Sequence, residues 1–190
     1  MKIVSLYNNE KVLIKKSISG DRNAQEHLYH KFSPKMLGVC RQYIHDLQFA
    51  EDVMVGGFVK AFKYLDNFKH QGSFEGWIRK IMVRECLTFL RKKQPIIFDD
   101  DVYESNAPKH ITATPDLDVE QVQKLIDALP DGYRMVFVMY AIEGYGHKEI
   151  AEMLQISEGA SRSQLFKARR MLQDKLLKIK EQSGQLKSRT

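Results

Sequence analysis

The sequence predicts an all-α protein in which two helical domains are joined by an irregular acidic linker. Apolar residues recur at helical spacing in both halves of the chain, and no segment alternates with period two for long enough to predict a strand. Between the halves, Pro95, Pro108 and Pro115 interrupt a stretch that also contains Asp99-Asp100-Asp101 and Ser105-Asn106, which is typical of a linker. We therefore expect a first domain at residues 1–93, a linker at 94–116, a second domain at 117–180 and a disordered tail at 181–190.

The first domain is expected to contain four helices separated by short turn signals. These signals are Ser33-Pro34, His45-Asp46 and the polar, glycine-containing stretch at residues 70–73. Proline and glycine interrupt helices, and Asp and Ser favour turns. The predicted helices therefore span residues 21–32, 34–45, 48–68 and 73–93.

The second domain is expected to begin with two helices. The first covers residues 117–129, and Pro130 suits the first turn of the next one, because a proline there loses no helical hydrogen bond. That next helix is predicted at residues 131–142, and Gly144 is expected to end it.

A helix-turn-helix is predicted at residues 146–170. Ile150 and Leu154 stand four residues apart on one helix face, and Ile156 lies in the turn, where it can fill the space between the helices. Ser157 offers a side-chain oxygen as the N-cap of the second helix, and Glu158 complements the positive end of its dipole. This arrangement is typical of DNA-binding domains.

The side chains of the second helix divide into two groups, because its N-terminal part enters the major groove in this motif. The candidates for base reading are Arg162, Ser163, Gln164 and Phe166. The candidates for phosphate contacts, farther along the helix, are Lys167, Arg169 and Arg170. The alternative is an amphipathic helix whose basic side is only a solvated face.

Charge is distributed unevenly along the chain, whose formal net charge is +6. Residues 60–93 and 158–190 each contain nine Lys or Arg against three acids, whereas residues 94–120 contain seven acids against one lysine. Two basic blocks separated by an acidic strip predict two parts that face nucleic acid. In the first block the cations are interleaved with aromatic residues, which can stack on unpaired bases or belong to the core. These residues are Tyr64, Phe68, Phe74 and Trp77.

Other features argue against an enzyme, a metal site and a membrane protein. Cys40 and Cys86 have no CxxC spacing and lie among apolar residues, so small buried side chains in a reducing compartment are expected. His27 and His30 have no third metal ligand at a recognised spacing. No apolar run is long enough to span a bilayer, and residues 1–10 lack a signal-peptide core. We expect a cytoplasmic protein without catalytic residues, cofactor, bound metal or membrane insertion.

Several segments, taken in order, resemble a known protein family. The first segment starts with Phe49-Ala50-Glu51-Asp52-Val53, and the second starts with Phe74-Glu75-Gly76-Trp77-Ile78. The third starts with Leu129-Pro130-Asp131-Gly132-Tyr133 and continues through Glu143-Gly144-Tyr145 into the helix-turn-helix. In their order and spacing over residues 20–178, these segments resemble group 4, extracytoplasmic-function RNA polymerase sigma factors of the type common in Bacteroidetes.

The resemblance implies a two-domain factor that directs core RNA polymerase to specific promoters, melts the −10 element and initiates transcription. The first domain resembles sigma region 2, in which the residues that would bind the polymerase clamp are Asp52, Val55, Phe58 and Phe62. The residues that would hold the melted −10 element are Phe68, Phe74, Trp77, Arg79, Lys80, Arg84, Thr88 and Arg91. The second domain resembles sigma region 4, whose recognition helix would read the −35 element. The implied partners are core RNA polymerase, promoter DNA and an anti-sigma factor.

The sequence departs from the family pattern at a few positions. Val55-Gly56-Gly57 stands where the family usually has a Gln-Glu pair before an aromatic residue, and Ser161 occupies a position that is often apolar. Arg84 stands where Asn is common, and arginine pairs with guanine or phosphate, so the −10 preference is expected to differ. The alternative function is a stand-alone helix-turn-helix transcription regulator, which would leave the basic and aromatic residues of the first domain unexplained.

Overall fold

The computed structural model describes residues 10–93 and 117–187, and the chain divides into two compact units, Met1–Gln94 and Pro95–Thr190. Within the described residues every regular element is a helix, and this confirms the predicted all-α fold class. None of the helices in those ranges is both long and apolar enough to cross a lipid bilayer. The predicted linker at 94–116 lies outside the described residues.

Residues 10–93 form four α-helices and a short 3-10 helix between the third and the fourth. In chain order these are α1 (Glu10–Ile18), α2 (Arg22–Tyr43), α3 (Leu47–Lys63), the 3-10 helix (Leu65–Asn67) and α4 (Phe74–Lys93). Helix α1, which was not predicted from the sequence, buries Leu13, Ile14 and Ser17. A helix of nine residues has too few apolar positions for a period to stand out.

Helix α2 replaces the two helices predicted at 21–32 and 34–45. Pro34 was expected to separate them, but the helix continues through it. A proline inside a helix costs about 3 kcal/mol, because one backbone hydrogen bond is lost and the ring crowds the preceding turn. Phe32 and Met36, on either side of the proline, are both buried in the core. We infer that this packing offsets the cost and keeps the helix continuous.

The bounds of α3 and α4 follow from capping contacts. Asp46 accepts a hydrogen bond from the Phe49 N–H at 3.0 Å and starts α3. The predicted helix at 48–68 is too long at its end, because the chain leaves α3 at Lys63 and enters the 3-10 helix. Helix α4 begins within one residue of the prediction, and there the Ser73 Oγ accepts a hydrogen bond from the Gly76 N–H at 3.0 Å.

Helices α3 and α4 are packed together, and Gly57 lies at their contact. A Cβ atom at Gly57 would overlap the Sδ of Met82, whose side chain is fully buried and would have to shift. Helices α2 and α4 are also packed together, and Cys40 and Cys86 are buried there with free thiols. The hydrogen bond with Cys40, together with burial, raises the pKa of the Cys86 thiol. These contacts hold the exposed faces of α3 and α4 in fixed positions.

Residues 117–187 form four α-helices and a π-helical turn. In chain order these are α5 (Val119–Asp127), α6 (Asp131–Phe137), the π-helical turn (Val138–Ile142), α7 (His147–Leu154) and α8 (Glu158–Lys187). The helix predicted at 131–142 widens at Val138, whose carbonyl accepts a hydrogen bond from the Glu143 N–H at 3.0 Å. Gly144 follows with a φ of 78°. Helix α8 extends past the predicted domain end at residue 180.

Helices α7 and α8 form the predicted helix-turn-helix. Ile150 and Leu154 are buried, and Ile156 is half-buried in the turn. The Ser157 Oγ accepts a hydrogen bond from the Ala160 N–H at 2.9 Å, which confirms the predicted N-cap. The turn therefore fixes the start of α8 against α7.

Candidate nucleic-acid interface

One side of α8 presents exposed arginines. Arg162, Arg169 and Arg170 are exposed, and the first two stand seven residues apart, about two helical turns. Arg162 forms an ion pair with Glu158 at 3.2 Å. Both side chains of this pair are largely exposed, so the pair is weak and can open when a stronger partner binds. These arginines keep their place as candidates for DNA contacts.

Two predicted base readers are buried instead. Gln164 has no exposed surface, and Ser163 is 8% exposed. The same helix buries Ser161, Leu165 and Ala168. Residue 164 lies three or four positions from Ser161 and Ala168, so it is on the same helix face and points towards the core. Neither Ser163 nor Gln164 is available to a base edge in this structure, which corrects that part of the prediction. Phe166, the remaining member of the set, is half-buried.

Two cations of α8 lie against aromatic rings. The Lys167 Nζ lies 5.9 Å from the ring centroid of Tyr133, and the Arg169 Cζ lies 5.5 Å from that of Tyr140. Cations within about 6 Å of an aromatic face are attracted to it, by about 0.5–1 kcal/mol at exposed sites. These contacts restrict where the two charges can lie along the surface of α8.

His147, which the sequence analysis did not select, lies within this group of cations. Its Nδ1 lies 2.9 Å from the Ser161 Oγ, and its ring stacks on Tyr140 with the centroids 4.7 Å apart. Burial and the positive charges of Arg162 and Arg169 lower the pKa of His147 below its ordinary value. No sequence pattern marks this histidine, because its partners come from other elements of the fold.

In the first unit, two of the predicted base-stacking aromatics belong to the core. Phe74 is 1% exposed and Phe68 is 7% exposed. The ring of Phe74 packs edge-on against both Phe32 and Phe68, with centroid distances of 5.4 Å in each case. These rings leave no face for a base, which corrects the prediction that Phe68 and Phe74 bind the −10 element.

Trp77, in contrast, is half-buried at the edge of that cluster and lines an open cleft between the end of α3 and α4. This Trp77 cleft has a volume of about 270 Å³ and is lined by Lys60, Tyr64, Trp77, Ile81, Arg84 and Glu85. Tyr64 is 48% exposed, and the Lys63 Nζ lies 5.3 Å from the centroid of its ring. The Lys60 Nζ and the Glu85 Oε1 form an ion pair at 2.7 Å. The cleft therefore combines aromatic surface with positive charge.

The other predicted −10 residues continue along α4 from the Trp77 cleft. Starting from residue 77, each exposed residue of this set follows the previous one by three or four positions. They therefore share one face of the helix. Those exposed members are Lys80, Arg84, Thr88 and Arg91, while Arg79 is half-buried. The Thr88 hydroxyl donates to the Arg84 carbonyl at 2.8 Å.

The predicted polymerase-binding residues on α3 are only partly exposed. Asp52 and Val55 are exposed, and Phe62 is half-buried. Phe58 is 2% exposed and belongs to the core, which corrects its assignment as a polymerase contact. Val59, which the sequence analysis did not select, is 63% exposed and lies one turn beyond Val55. We call Asp52, Val55 and Val59 the α3 stripe.

A groove of about 410 Å³ between α3 and α4 borders the α3 stripe. It is lined by Phe49, Asp52, Val53, Gly56, Glu85, Thr88, Phe89 and Lys92. A Cβ atom at Gly56 would meet nothing within 4 Å, so the missing side chain leaves this groove open.

Two family models match the regions that carry these surfaces. The model described as Sigma-70 region 2 matches residues 28–96, and the model described as Sigma-70, region 4 matches residues 119–172. Together they cover more than half of the chain, and the chain belongs to the sigma-70 family of RNA polymerase sigma factors.

Individual relatives define the type of sigma factor. The chain is 28% identical to the RNA polymerase sigma-H factor of Pseudomonas aeruginosa over 181 residues, covering 87% of this chain and 92% of the relative. It is 26% identical to the ECF RNA polymerase sigma-E factor of Escherichia coli K12 over 180 residues, covering 88% and 94%. This protein is therefore an extracytoplasmic-function sigma factor that serves transcription initiation; the Bacteroidetes type stays a prediction.

The fold is also similar to a solved structure. This structure contains the sigma factor RpoE from Bartonella quintana in complex with the anti-sigma factor NepR. The TM-score is 0.53 at 21% sequence identity, and the similarity covers 81% of this chain and 96% of that chain. At this identity the likeness supports the fold.

Proposed function

We propose that the two units divide promoter recognition, the Trp77 cleft holding the melted −10 element and α8 reading the −35 element. One observation carries this proposal: each unit exposes a face that bears several cations, on α4 around Arg84 and on α8 around Arg162. Positive surface on both units is what two contacts with one promoter require. We also propose that residues 94–116 connect domains at 1–93 and 117–180.

The Trp77 cleft suits a base taken out of the DNA stack. Extruding a base costs a few kcal/mol, and stacking on an aromatic face returns about 1–3 kcal/mol. Tyr64 and Trp77 offer such faces, and Arg84 can pair with guanine or with a phosphate of the same strand. Lys80 and Arg91, exposed on the same face of α4, extend the positive charge along the strand.

Helix α8 suits duplex DNA. Arg162 lies in the N-terminal part of the helix, where side chains reach base edges in the major groove. Arg162 is paired with Glu158, and both side chains are largely exposed. Breaking this ion pair so that Arg162 can bind a guanine therefore costs little free energy. Arg169 and Arg170 lie two turns farther along and are placed for phosphates, which fix the register of the helix without reading sequence.

The α3 stripe is the surface that we propose for core RNA polymerase. Val55 and Val59 are exposed apolar side chains one turn apart, and Asp52 adds a negative charge beside them. Exposed apolar side chains grouped in this way mark interaction sites. The similarity to a sigma factor solved with an anti-sigma factor supports the proposal that such a partner also binds this chain. We propose a cytoplasmic location, where it would meet core RNA polymerase.

Substitutions in the two units test this division of labour in a reconstituted holoenzyme. Tyr64→Ala and Trp77→Ala are expected to reduce the permanganate reactivity of −10 thymines by a factor of about 5 to 150, the equivalent of 1–3 kcal/mol of stacking. Tyr64 is the safer probe, because its exposed ring contributes little to the core. Both variants should still bind core polymerase and a −35 duplex.

Arg162→Ala is expected to act on the other promoter element. It should reduce binding to the native −35 duplex by about 1–3 kcal/mol relative to a scrambled duplex, because a base contact is lost. Arg170→Ala is the matched control and should weaken binding to both duplexes equally, lowering the salt slope by about one unit. Equal losses on both duplexes for Arg162→Ala would contradict its role as a base reader.

A further inference from the structure

His147, Ser161 and Tyr140 bring three elements of the second unit together. His147 is the first residue of α7, Ser161 lies in the first turn of α8, and Tyr140 belongs to the π-helical turn. The 2.9 Å contact between the His147 Nδ1 and the Ser161 Oγ and the stacking on Tyr140 together fix the orientation of the imidazole ring. With Nδ1 engaged by Ser161, Nε2 is the nitrogen at which a ligand can bind.

Ser161 is suited to a histidine that changes its protonation state. Its side chain has no exposed surface, so its hydroxyl needs a partner inside the protein, and His147 provides one. A hydroxyl can donate to an unprotonated Nδ1 or accept from a protonated one. The contact is therefore kept in both protonation states, which a carbonyl oxygen in the same place could not achieve.

The charged groups that face His147 come from α8. Arg162 and Arg169 disfavour the imidazolium, and Glu158 favours it, while the π-helical turn contributes the neutral ring of Tyr140. Arg169 lies on the same Tyr140 ring, with its Cζ 5.5 Å from the centroid. These two arginines and the histidine could surround one anion. An anion held there would pair with the arginines and would stabilise the protonated imidazole.

A DNA phosphate is the anion that this position would meet. In a helix-turn-helix the first helix crosses the DNA backbone, and His147 begins that helix. We propose that His147 is a phosphate contact of the second unit and that its imidazole takes up a proton when the phosphate binds. This inference rests on the proposed function of α8 as the DNA-reading helix.

The inference predicts that DNA binding strengthens as the pH falls. In the free protein the pKa of His147 is lowered, whereas the bound phosphate raises it. Between these two pKa values, binding takes up as much as one proton, so the Kd falls by up to about tenfold for each unit decrease in pH. Above and below this window, His147 contributes no pH dependence.

The test is a fluorescence anisotropy titration of the full chain with a rhodamine-labelled duplex of arbitrary sequence. The Kd is measured at constant ionic strength from about pH 5.5 to about pH 8.5, the range in which histidines titrate. His147→Gln keeps a partner for Ser161 but cannot be protonated, and we expect its pH profile to be flat. His30→Gln, which removes an exposed histidine of the first unit, is the matched control and should keep the wild-type profile.

A second measurement does not depend on the variants. An NMR titration of the His147 ring in the wild-type chain should show a higher pKa with the duplex than without it. Binding that is flat with pH in the wild type, an unchanged ring pKa, or a pH profile that survives His147→Gln would each overturn the inference while leaving α8 as a DNA-binding helix. Failure of the wild type to bind the duplex at any pH would overturn this inference, whereas the proposed reading of the −35 element is decided by the comparison of native and scrambled duplexes.

Discussion

Gly56 and Gly57 are neighbours in α3, but their surroundings give them different roles. A Cβ atom at residue 57 would overlap the Met82 Sδ and lie 2.9 Å from its Cε, and Met82 is fully buried. A Cβ atom at residue 56 would meet nothing within 4 Å. The departure from the family pattern thus makes room for the buried Met82 side chain at one position and leaves the adjacent groove open at the other.

Alanine substitutions distinguish these two roles. We expect Gly57→Ala to lower the free energy of unfolding by about 1–3 kcal/mol, because the added methyl group overpacks the core. Gly56→Ala is the matched control and should raise it by about 0.5–1 kcal/mol, since alanine favours the helix and has room at this position. Urea unfolding followed by circular dichroism measures both changes. Equal effects of the two substitutions would show that the packing of Met82 against residue 57 does not require glycine.

At the scale of single residues, the sequence indicated which kinds of side chain could contact DNA, but it did not indicate which of them are exposed. Phe74 and Trp77 lie three residues apart and both neighbour cations, yet Phe74 is buried and Trp77 borders an open cleft. Gln164 was predicted to read bases because it lies in the N-terminal part of the recognition helix, but its helix face packs inward. Which neighbours cover a side chain depends on contacts between distant segments, and the sequence pattern does not show them.

At the scale of elements, helix α3 is buried on one face and exposes the apolar side chains of the α3 stripe on another. Val55 and Val59 face outward, while Met54 and Phe58 on the same helix are buried. An exposed stripe on a rigid helix is a precise docking surface, because its side chains need little ordering when a partner binds.

Introducing a charge into the α3 stripe tests its role. We expect Val59→Glu to weaken core polymerase binding at least about tenfold, the equivalent of 1.4 kcal/mol, because a desolvated charge would replace an apolar contact. The fold should be preserved, since this side chain is 63% exposed. Ile18→Glu on α1, 48% exposed, is the matched control for the same change away from the stripe. Pull-down of core polymerase measures both, and equal binding by the two variants would remove the stripe from the interface.

The positions of α4 and of the helix-turn-helix were predictable because a cap and a regular apolar period coincide there. The bounds of other elements were not, because packing overrode the local signal. Pro34 lies inside α2, although proline usually ends a helix. The π-helical turn at Val138–Ile142 has no distinctive sequence pattern, and its Tyr140 ring contacts both His147 and Arg169.

At the scale of the whole molecule, each unit buries apolar residues of its own. The first unit buries Phe74 and Met82 among α2, α3 and α4, and the second buries Val136 and Ile150 among α6, α7 and α8. Composition predicted this division, because the acidic, proline-containing stretch separates two basic blocks.

Separate expression of the two units tests this organisation. We expect fragments Met1–Gln94 and Pro95–Thr190 each to unfold cooperatively with urea, because each contains a buried core. Circular dichroism should show that the helical signals of the fragments add up to that of the full chain. A fragment that is unfolded by itself would show that its core depends on the other unit.

The most direct test of the central claim is run-off transcription with purified core RNA polymerase, this protein and promoter fragments from the genome that encodes it. The account predicts that the chain binds core polymerase and produces new transcripts with specific start sites. It also predicts that Tyr64→Ala reduces these transcripts while polymerase binding is retained. Duplex DNA binding without polymerase binding, and without new start sites, would contradict the account and would indicate a stand-alone regulator.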